Sequence, residues 1–159
     1  MIQLGVPCAL ASGHRVDDFR CSALALTRWL QERAHRNQVS GASRCFVVCD
    51  AQQNVLGYYA LAAGAVSHGI APGSIRRNMP HPIPVIVLGR LAVHADWTGQ
   101  GIGAGLLKDA VQRTLHVCRE IGARALVCHA MDEMAKAFYL RHGFIESPMD
   151  AMTVMLPVA

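Results

Sequence analysis

Residues 84–107 read PVIVLGRLAVHADWTGQGIGAGLL, and the reading of this stretch decides the fold. Residues 84–93 are a near-continuous apolar run, as a central strand covered on both faces requires. Three alternate glycines follow, Gly99, Gly101 and Gly103. They open a long amphipathic helix predicted over 101–119, with Leu107, Val111, Leu115 and Cys118 on one stripe. Without Cβ atoms a glycine backbone approaches phosphates closely, and a helix start offers unpaired N–H groups and a favourable dipole. A Rossmann pattern G-x-G-x-x-A is met at Gly99, Gly101 and Ala104. That fold, however, expects an acid at the end of the next strand, where His129 and Ala130 stand, and puts its loop after the first strand. A P-loop needs Gly-Lys-Ser/Thr, which is absent.

Outward from this centre the chain alternates. Residues 22–38 (SALALTRWLQERAHRNQ) are predicted as a helix capped by Ser22, with Ala23, Leu26, Leu30 and Ala34 on one arc. Arg28, Glu32, Arg33 and Arg36 take the opposite arc, with Trp29 among them as the rim of the core or a stacking surface for a base. Strands are predicted at 44–49 and 55–67, joined by a turn over 50–54. Segment 68–84 holds four prolines and reads as an irregular loop with at most one helical turn. A buried strand follows at 123–130, then a helix over 133–141 capped by Asp132 and terminated by Gly143, and a last strand at 153–158. The pattern implies an α/β or α+β sandwich. Residues 1–159 show no repeat or linker and read as one domain.

At 52% hydrophobic and 16% charged residues, the 159-residue chain can bury a real core, which excludes intrinsic disorder. No apolar run reaches the roughly 18 residues of a membrane span. The N-terminal MIQLGVPCALASGHR lacks a basic region before its apolar patch, so a signal peptide is not expected and the expected location is the cytoplasm. The six cysteines form no C-x-x-C pair and read as small hydrophobes, the eight histidines are scattered, and no metal site is expected. Thirteen of the fifteen basic residues are Arg. Residues 1–90 carry net +5 and residues 91–159 net −1, so the positive field belongs to the first half. Arg's planar fork suits phosphate oxygens.

The other candidate anion for the glycine loop is the pyrophosphate of coenzyme A, and here the surroundings resemble the GNAT (Gcn5-related N-acetyltransferase) superfamily. The matching parts are LGRLAV, a loop of pattern Arg/Gln-x-x-Gly-x-Gly/Ala, and a helix ending in Phe-Tyr before His-Gly-Phe. Thr98 stands where the family has Arg or Gln. Asp132, Ala135 and Tyr139 are in register with its Asn-x-x-Ala-x-x-x-Tyr, with Asp replacing Asn. NQVSGASRCFVVCD, VLGYYALAAGAV, IRRNMPHPIPVIVLGRLAVHADWTGQGIGAGLLKDA and HAMDEMAKAFYLRHGF together resemble the acetyltransferase toxins of bacterial type II toxin–antitoxin modules. The resemblance implies a GNAT fold, with a mixed, mostly antiparallel sheet whose central strands splay apart. It implies acetyl-CoA as cosubstrate and the α-amino group of aminoacyl-tRNA as acceptor, which stops translation. It further implies a homodimer and a ribbon-helix-helix antitoxin through which the complex binds operator DNA.

By the same resemblance Leu91, Ala92, Val93, Thr98, Gly99, Gln100, Gly101, Ile102, Gly103, Ala104, Asp132 and Ala135 are expected at the cofactor. Val93 is the expected oxyanion donor through its backbone N–H, and Tyr139 the expected acid for the departing thiolate. Between Val85 and His94 there is no carboxylate to serve as base. A lysine acceptor would need one, whereas an α-amine titrates near ~7.7–8.0 and is already partly neutral. His94 and His129 read as hydrogen-bonded strand-end residues before they read as a relay. Arg33, Arg36, Arg76, Arg77 and Arg90 are the expected contacts to RNA phosphates. The competing readings are a GNAT enzyme for a small amine or a protein N-terminus, and a non-catalytic acyl-CoA-binding module.

Overall fold

The computed structural model describes residues 5–158; residues 1–4, which begin the segment read above for a leader, lie outside them. In chain order the elements are β1 (Cys8–Ala9), α1 (Leu24–Glu32), α2 (Ala34–Ser40), β2 (Arg44–Cys49), β3 (Val55–Val66), α3 (Gly73–Arg76) and β4 (Ile83–Val93). A 3-10 turn at Ala95–Trp97 is followed by α4 (Ile102–Glu120), β5 (Ala125–His129), α5 (Glu133–Arg141), β6 (Ile145–Glu146) and β7 (Thr153–Pro157). The strands form one seven-stranded sheet in the order β1-β2-β3-β4-β5-β7-β6. The ladders β1/β2, β2/β3, β5/β7 and β6/β7 are antiparallel and β4/β5 is parallel, so the sheet is mixed. The parallel ladder has two register pairs, Ile86 with Leu126 and Val87 with Val127, although β4 runs on to Val93 and β5 to His129. No helix of the described residues is long and apolar enough to cross a membrane.

The chain forms two compact units, and β3, β4 and α4 each contribute to both. The first comprises the chain up to Ala62 with Arg90–Ala110. Its core joins Phe19, Trp29, Leu30 and Ala34 to Cys45, Val47, Val55, Tyr58 and Ala92. Trp29 is buried here and stacks on Tyr58 at 5.7 Å between centroids, so it is a core residue and offers no surface to a base. The predicted helix 22–38 is in fact two, broken at Arg33 (φ −124°, ψ −31°), and its N-cap is Ala23 without a side-chain bond, not Ser22. Helical hydrogen bonds continue across the break, from the Arg33 N–H to Trp29 O and from the Asn37 N–H to Arg33 O, both at 2.9 Å, with Trp29 inside and Arg33 exposed.

The start of α4 is pinned to β3 by two contacts. A Cβ on Gly57 would lie 2.9 Å from Leu106 Cδ1 and 3.1 Å from Ile102 Cγ2, so the absent side chain allows the close approach. The Tyr59 hydroxyl donates to Asp109 Oδ2 at 2.5 Å. The buried residues of α4 are Ile102, Leu106, Leu107, Ala110 and Thr114, while Leu115 is exposed. The stripe predicted through Val111, Leu115 and Cys118 is thus rotated, because the small Ala110 and Thr114 can pack closely and the larger Leu115 stays outside.

The second unit comprises Ala63–Gly89 and Val111–Ala159. Ala71, Ile75, Ile83 and Val85 pack there with Ala125, Val127 and Met155. The Pro-rich segment carries the single helical turn α3, held from below by Arg124, whose Nε and Nη2 donate to the carbonyls of Ile75 and Ser74 at 3.1 and 3.2 Å. The Ser147 hydroxyl donates to Ile70 O at 2.6 Å and ties the same segment to the chain after β6. Asp132 caps α5 as predicted, accepting from the Ala135 N–H at 2.8 Å, worth about 1 kcal/mol. Gly143, at φ +93°, ends it.

Candidate active site

The glycine loop lies in the first unit. Gly99 (φ +78°) and Gly101 (φ +83°) both occupy the left-handed region, where an ordinary residue would cost roughly 1–2 kcal/mol. Nothing lies within 4 Å of where their Cβ atoms would be, so the backbone faces open space. Thr98, Gly99, Gln100 and Gly101 are exposed, and Ile102, buried beneath them, begins the 19-residue α4 with Gly103 and Ala104 in its first turn. The result is a backbone-lined helix start with bare N–H groups, which fits a pyrophosphate. The strand end Leu91, Ala92 and Val93 belongs to the same unit and is tied down just beyond: the His94 N–H donates to Leu56 O at 2.8 Å and the Ala95 N–H to Arg20 O at 2.8 Å. The His94 ring is committed. Its Nδ1 accepts from the Asp96 N–H at 3.0 Å, which leaves Nε2 as the donor to Asp18 O at 3.0 Å. It is a buried structural residue.

Tyr139, Asp132 and Ala135 lie in the second unit on and before α5. Tyr139 and Phe138 cannot share a helix face, and it is Tyr139 that turns inward, 5% exposed, with Phe138 edge-on at 5.4 Å and Phe144 at 5.3 Å. Its hydroxyl donates to the Cys128 sulfur, a partner with no signal in the sequence. Burial, then the Cys128 charge and hydrogen bond, push the Tyr139 hydroxyl above its ordinary range, so it stays protonated at neutral pH. Burial also pushes the Cys128 thiol up to about 11. The buried Cys128 sulfur therefore holds its proton tightly, and the Tyr139 hydroxyl points its own proton at it.

The arginines divide. Arg33 and Arg36 are exposed at the α1/α2 junction. Arg76 and Arg77 are exposed at the end of α3 and make no ion pair among the described residues. Arg90 is half-buried, its guanidinium carbon 4.6 Å from the centroid of the Trp29 ring, a contact worth about 0.5–2 kcal/mol. Arg90, expected at an RNA phosphate, has an aromatic face as its partner in the structure. His129, at the end of β5, is hydrogen-bonded through Nδ1 to Thr153 Oγ1 at 2.8 Å. Its Thr153 and Asp150 neighbours had no motif to announce them.

The acetyltransferase (GNAT) domain family matches residues 41–146. A protein of Mycobacterium tuberculosis (strain ATCC 25618 / H37Rv) named tRNA-acetylating toxin is 44% identical over 150 residues, spanning 94% of this chain and 90% of its own length. Among solved structures, AtaT complexed with acetyl-methionyl-tRNAfMet is similar with a TM-score of 0.90 at 26% identity, covering 98% of this chain and 95% of that one. A tyrosine-to-phenylalanine mutant of AtaT bound to the C-terminus of the antitoxin AtaR and acetyl-CoA is similar at 0.84 and 26% identity, covering 98% and 93%. With its mixed seven-stranded sheet, its glycine-opened α4 and its inward tyrosine on α5, the chain belongs to the GNAT acetyltransferase family.

Proposed function

We propose that this chain, acting as one acetyltransferase domain over residues 1–159, transfers the acetyl group of acetyl-CoA to the α-amino group of aminoacyl-tRNA and thereby blocks translation. The observation that carries the reading is 44% identity to the tRNA-acetylating toxin across almost the whole of both chains. Acetyl-CoA supplies an acetyl group activated as a thioester. Backbone N–H groups of Gly99, Gln100, Gly101, Ile102, Gly103 and Ala104 hold its pyrophosphate, with Thr98 at the loop entrance. The strand end Leu91, Ala92 and Val93 offers backbone groups to the pantetheine arm, and the Val93 N–H serves the thioester oxygen. Asp132 and Ala135 build the helix start that orients Tyr139, and Tyr139 holds the proton for the thiol product. The open left-handed glycines and the sulfur-directed hydroxyl support these assignments.

Arg76 and Arg77, exposed and without ion-pair partners among the described residues, are the main RNA contacts, with Arg33 and Arg36 as a second cluster. Arg90, engaged on Trp29, contributes a smaller share. The absence of a carboxylate on β4 supports an α-amine rather than a lysine acceptor. The partners are a homodimeric copy and a cytoplasmic ribbon-helix-helix antitoxin that carries the complex to operator DNA. Charged tRNA with labelled acetyl-CoA is expected to yield N-acetyl-aminoacyl-tRNA, and uncharged tRNA and free amino acid to yield nothing. Replacing Arg76 and Arg77 by Ala is expected to raise KM for tRNA while acetyl-CoA binding holds. Efficient acetylation of spermidine or a peptide N-terminus with no product on charged tRNA would overturn the reading.

A further inference from the structure

Strand β5 ends in Cys128 and His129, and successive side chains on a strand point to opposite faces. Cys128 meets the Tyr139 hydroxyl on one face. His129 shares the other face with Val127, which belongs to the buried cluster that includes Ile75, Ile83 and Met155. Arg76 and Arg77 follow Ile75 directly, so His129 shares its face of β5 with the proposed RNA-binding loop, which is seated on Arg124 at the other end of the strand.

The hydrogen-bond chain behind His129 fixes its tautomer. Thr153 is paired with His129 in the β5/β7 ladder, and its hydroxyl donates to Asp150 Oδ2 at 2.9 Å. An ionised carboxylate can only accept, and a hydroxyl has one hydrogen to give. Hydrogen bonds from the Thr153 hydroxyl and the Met152 N–H, with His129 nearby, hold the Asp150 carboxyl below its ordinary range and so ionised. Thr153 Oγ1 must therefore accept from His129, and the proton sits on Nδ1. That leaves Nε2 as a lone-pair nitrogen on an exposed ring, with no hydrogen-bond partner among the described residues. His94 has no such atom, since both of its nitrogens are engaged.

We propose that His129 is the base of the acetyl transfer, with Thr153 and Asp150 as positioning residues that set its tautomer. The acceptor's identity rests on the function proposed above. The amine lone pair forms the new N–C bond and the amine gives one proton to His129 Nε2. The C–S bond breaks, its electron pair leaves with sulfur, and Tyr139 delivers its proton to that sulfur. Solvent then returns a proton from the imidazolium to the tyrosinate, so the products are an amide and a thiol. Base and acid thus occupy opposite faces of one strand end, the base on the face that also carries the proposed RNA-binding loop. An Nδ1–H hydrogen-bonded toward a carboxylate also stabilises the imidazolium that forms.

Two measurements test this. Long-range 1H–15N NMR on the ligand-free protein, labelled at histidine nitrogen, is expected to show His129 as the Nδ1–H tautomer and Thr153→Val to lose that preference. An Nε2–H His129 in the unaltered protein would overturn the proposal without any reaction being run. His129→Gln is expected to lower kcat roughly 10²-fold with KM for tRNA and acetyl-CoA held within about threefold, and added imidazole to restore part of the rate. Each assay is paired with methionine methyl ester, an α-amine that needs no RNA contact. Loss of rate on the ester alongside an unaltered protein that ignores charged tRNA would uphold the base and reject the RNA acceptor. His129→Gln within threefold of the unaltered protein on every acceptor used, or no acetylation of either acceptor by the unaltered protein, would overturn the base.

Discussion

Tyr139 is a residue whose environment does most of its chemistry. Packed by Phe138 and Phe144 and donating to Cys128, it keeps its proton at neutral pH. Tyr139→Phe keeps the ring and its packing and removes only the proton, so melting temperature is expected to change by a degree or two at most. Turnover is expected to fall about 10²-fold or more. Turnover within a few-fold of the unaltered enzyme, measured by thiol release, would reduce Tyr139 to a packing residue and leave protonation to water. The motif alone pointed to Tyr139, because the spacing from Asp132 and Ala135 is local and helical. Its sulfur partner was silent, since Cys128 reads as any small hydrophobe in a buried strand.

Among the elements, the glycine loop and the segment around α3 show two ways of presenting backbone and charge. The loop runs into a helix seated on β3, with Gly57 admitting α4 against β3 and Tyr59 binding Asp109. Acetyl-CoA is expected to raise the melting temperature by mass action, ~2.7 kcal/mol at a hundredfold excess over Kd. Gly101→Asp is expected to abolish that shift by setting a carboxylate against pyrophosphate. Gly101→Ala carries the same left-handed strain without the charge and is expected to lower the baseline melting temperature while keeping most of the shift. Equal shifts in all three proteins, read by calorimetry, would move the cofactor elsewhere. The helix at α1/α2 shows where periodicity misleads. Nothing between 22 and 38 is Gly or Pro, so the break at Arg33 has no local mark. The chain buries Trp29 and Leu30 before the break and Ala34 after it, and leaves Arg33 in water.

At the scale of the whole molecule, buried thiols and phenols make stability depend on alkaline pH. Burial pushes Cys45 from 9.0 to about 12 and Cys128 from 9.0 to about 11, and it raises the Tyr58 hydroxyl as well. An unfolded chain releases the thiol protons from about pH 9, and the folded chain retains them. Above that pH the unfolded state binds fewer protons, so stability falls as pH rises, by about 1.4 kcal/mol per pH unit for each such thiol. Cys45→Val removes one titrating group and keeps its volume. The slope of unfolding free energy between pH 9 and 11, from urea titrations, is expected to become shallower by roughly that amount. An unchanged slope would mean that the Cys45 thiol titrates in the folded protein as it does in the unfolded one.

By itself the sequence determined whatever is encoded over a few neighbouring residues. The span of β2, the cap of α5 by Asp132, the stop at Gly143 and the alternate glycines before α4 are all set by short-range sterics and hydrogen bonds, and they emerged where they were read. It also determined the family, because LGRLAV, the glycine loop and AKAFY keep a fixed order and spacing. Tertiary structure alone decided which face each amphipathic element buries, as Trp29, Thr114 and Leu115 show. It alone decided the two-residue strands β1 and β6, too short to carry any period. It alone bound Arg90 to Trp29 and joined His129 to Thr153, 24 residues on, and through it to Asp150. Such partners are chosen by the competition of distant groups for buried space and hydrogen bonds, which local spacing does not record.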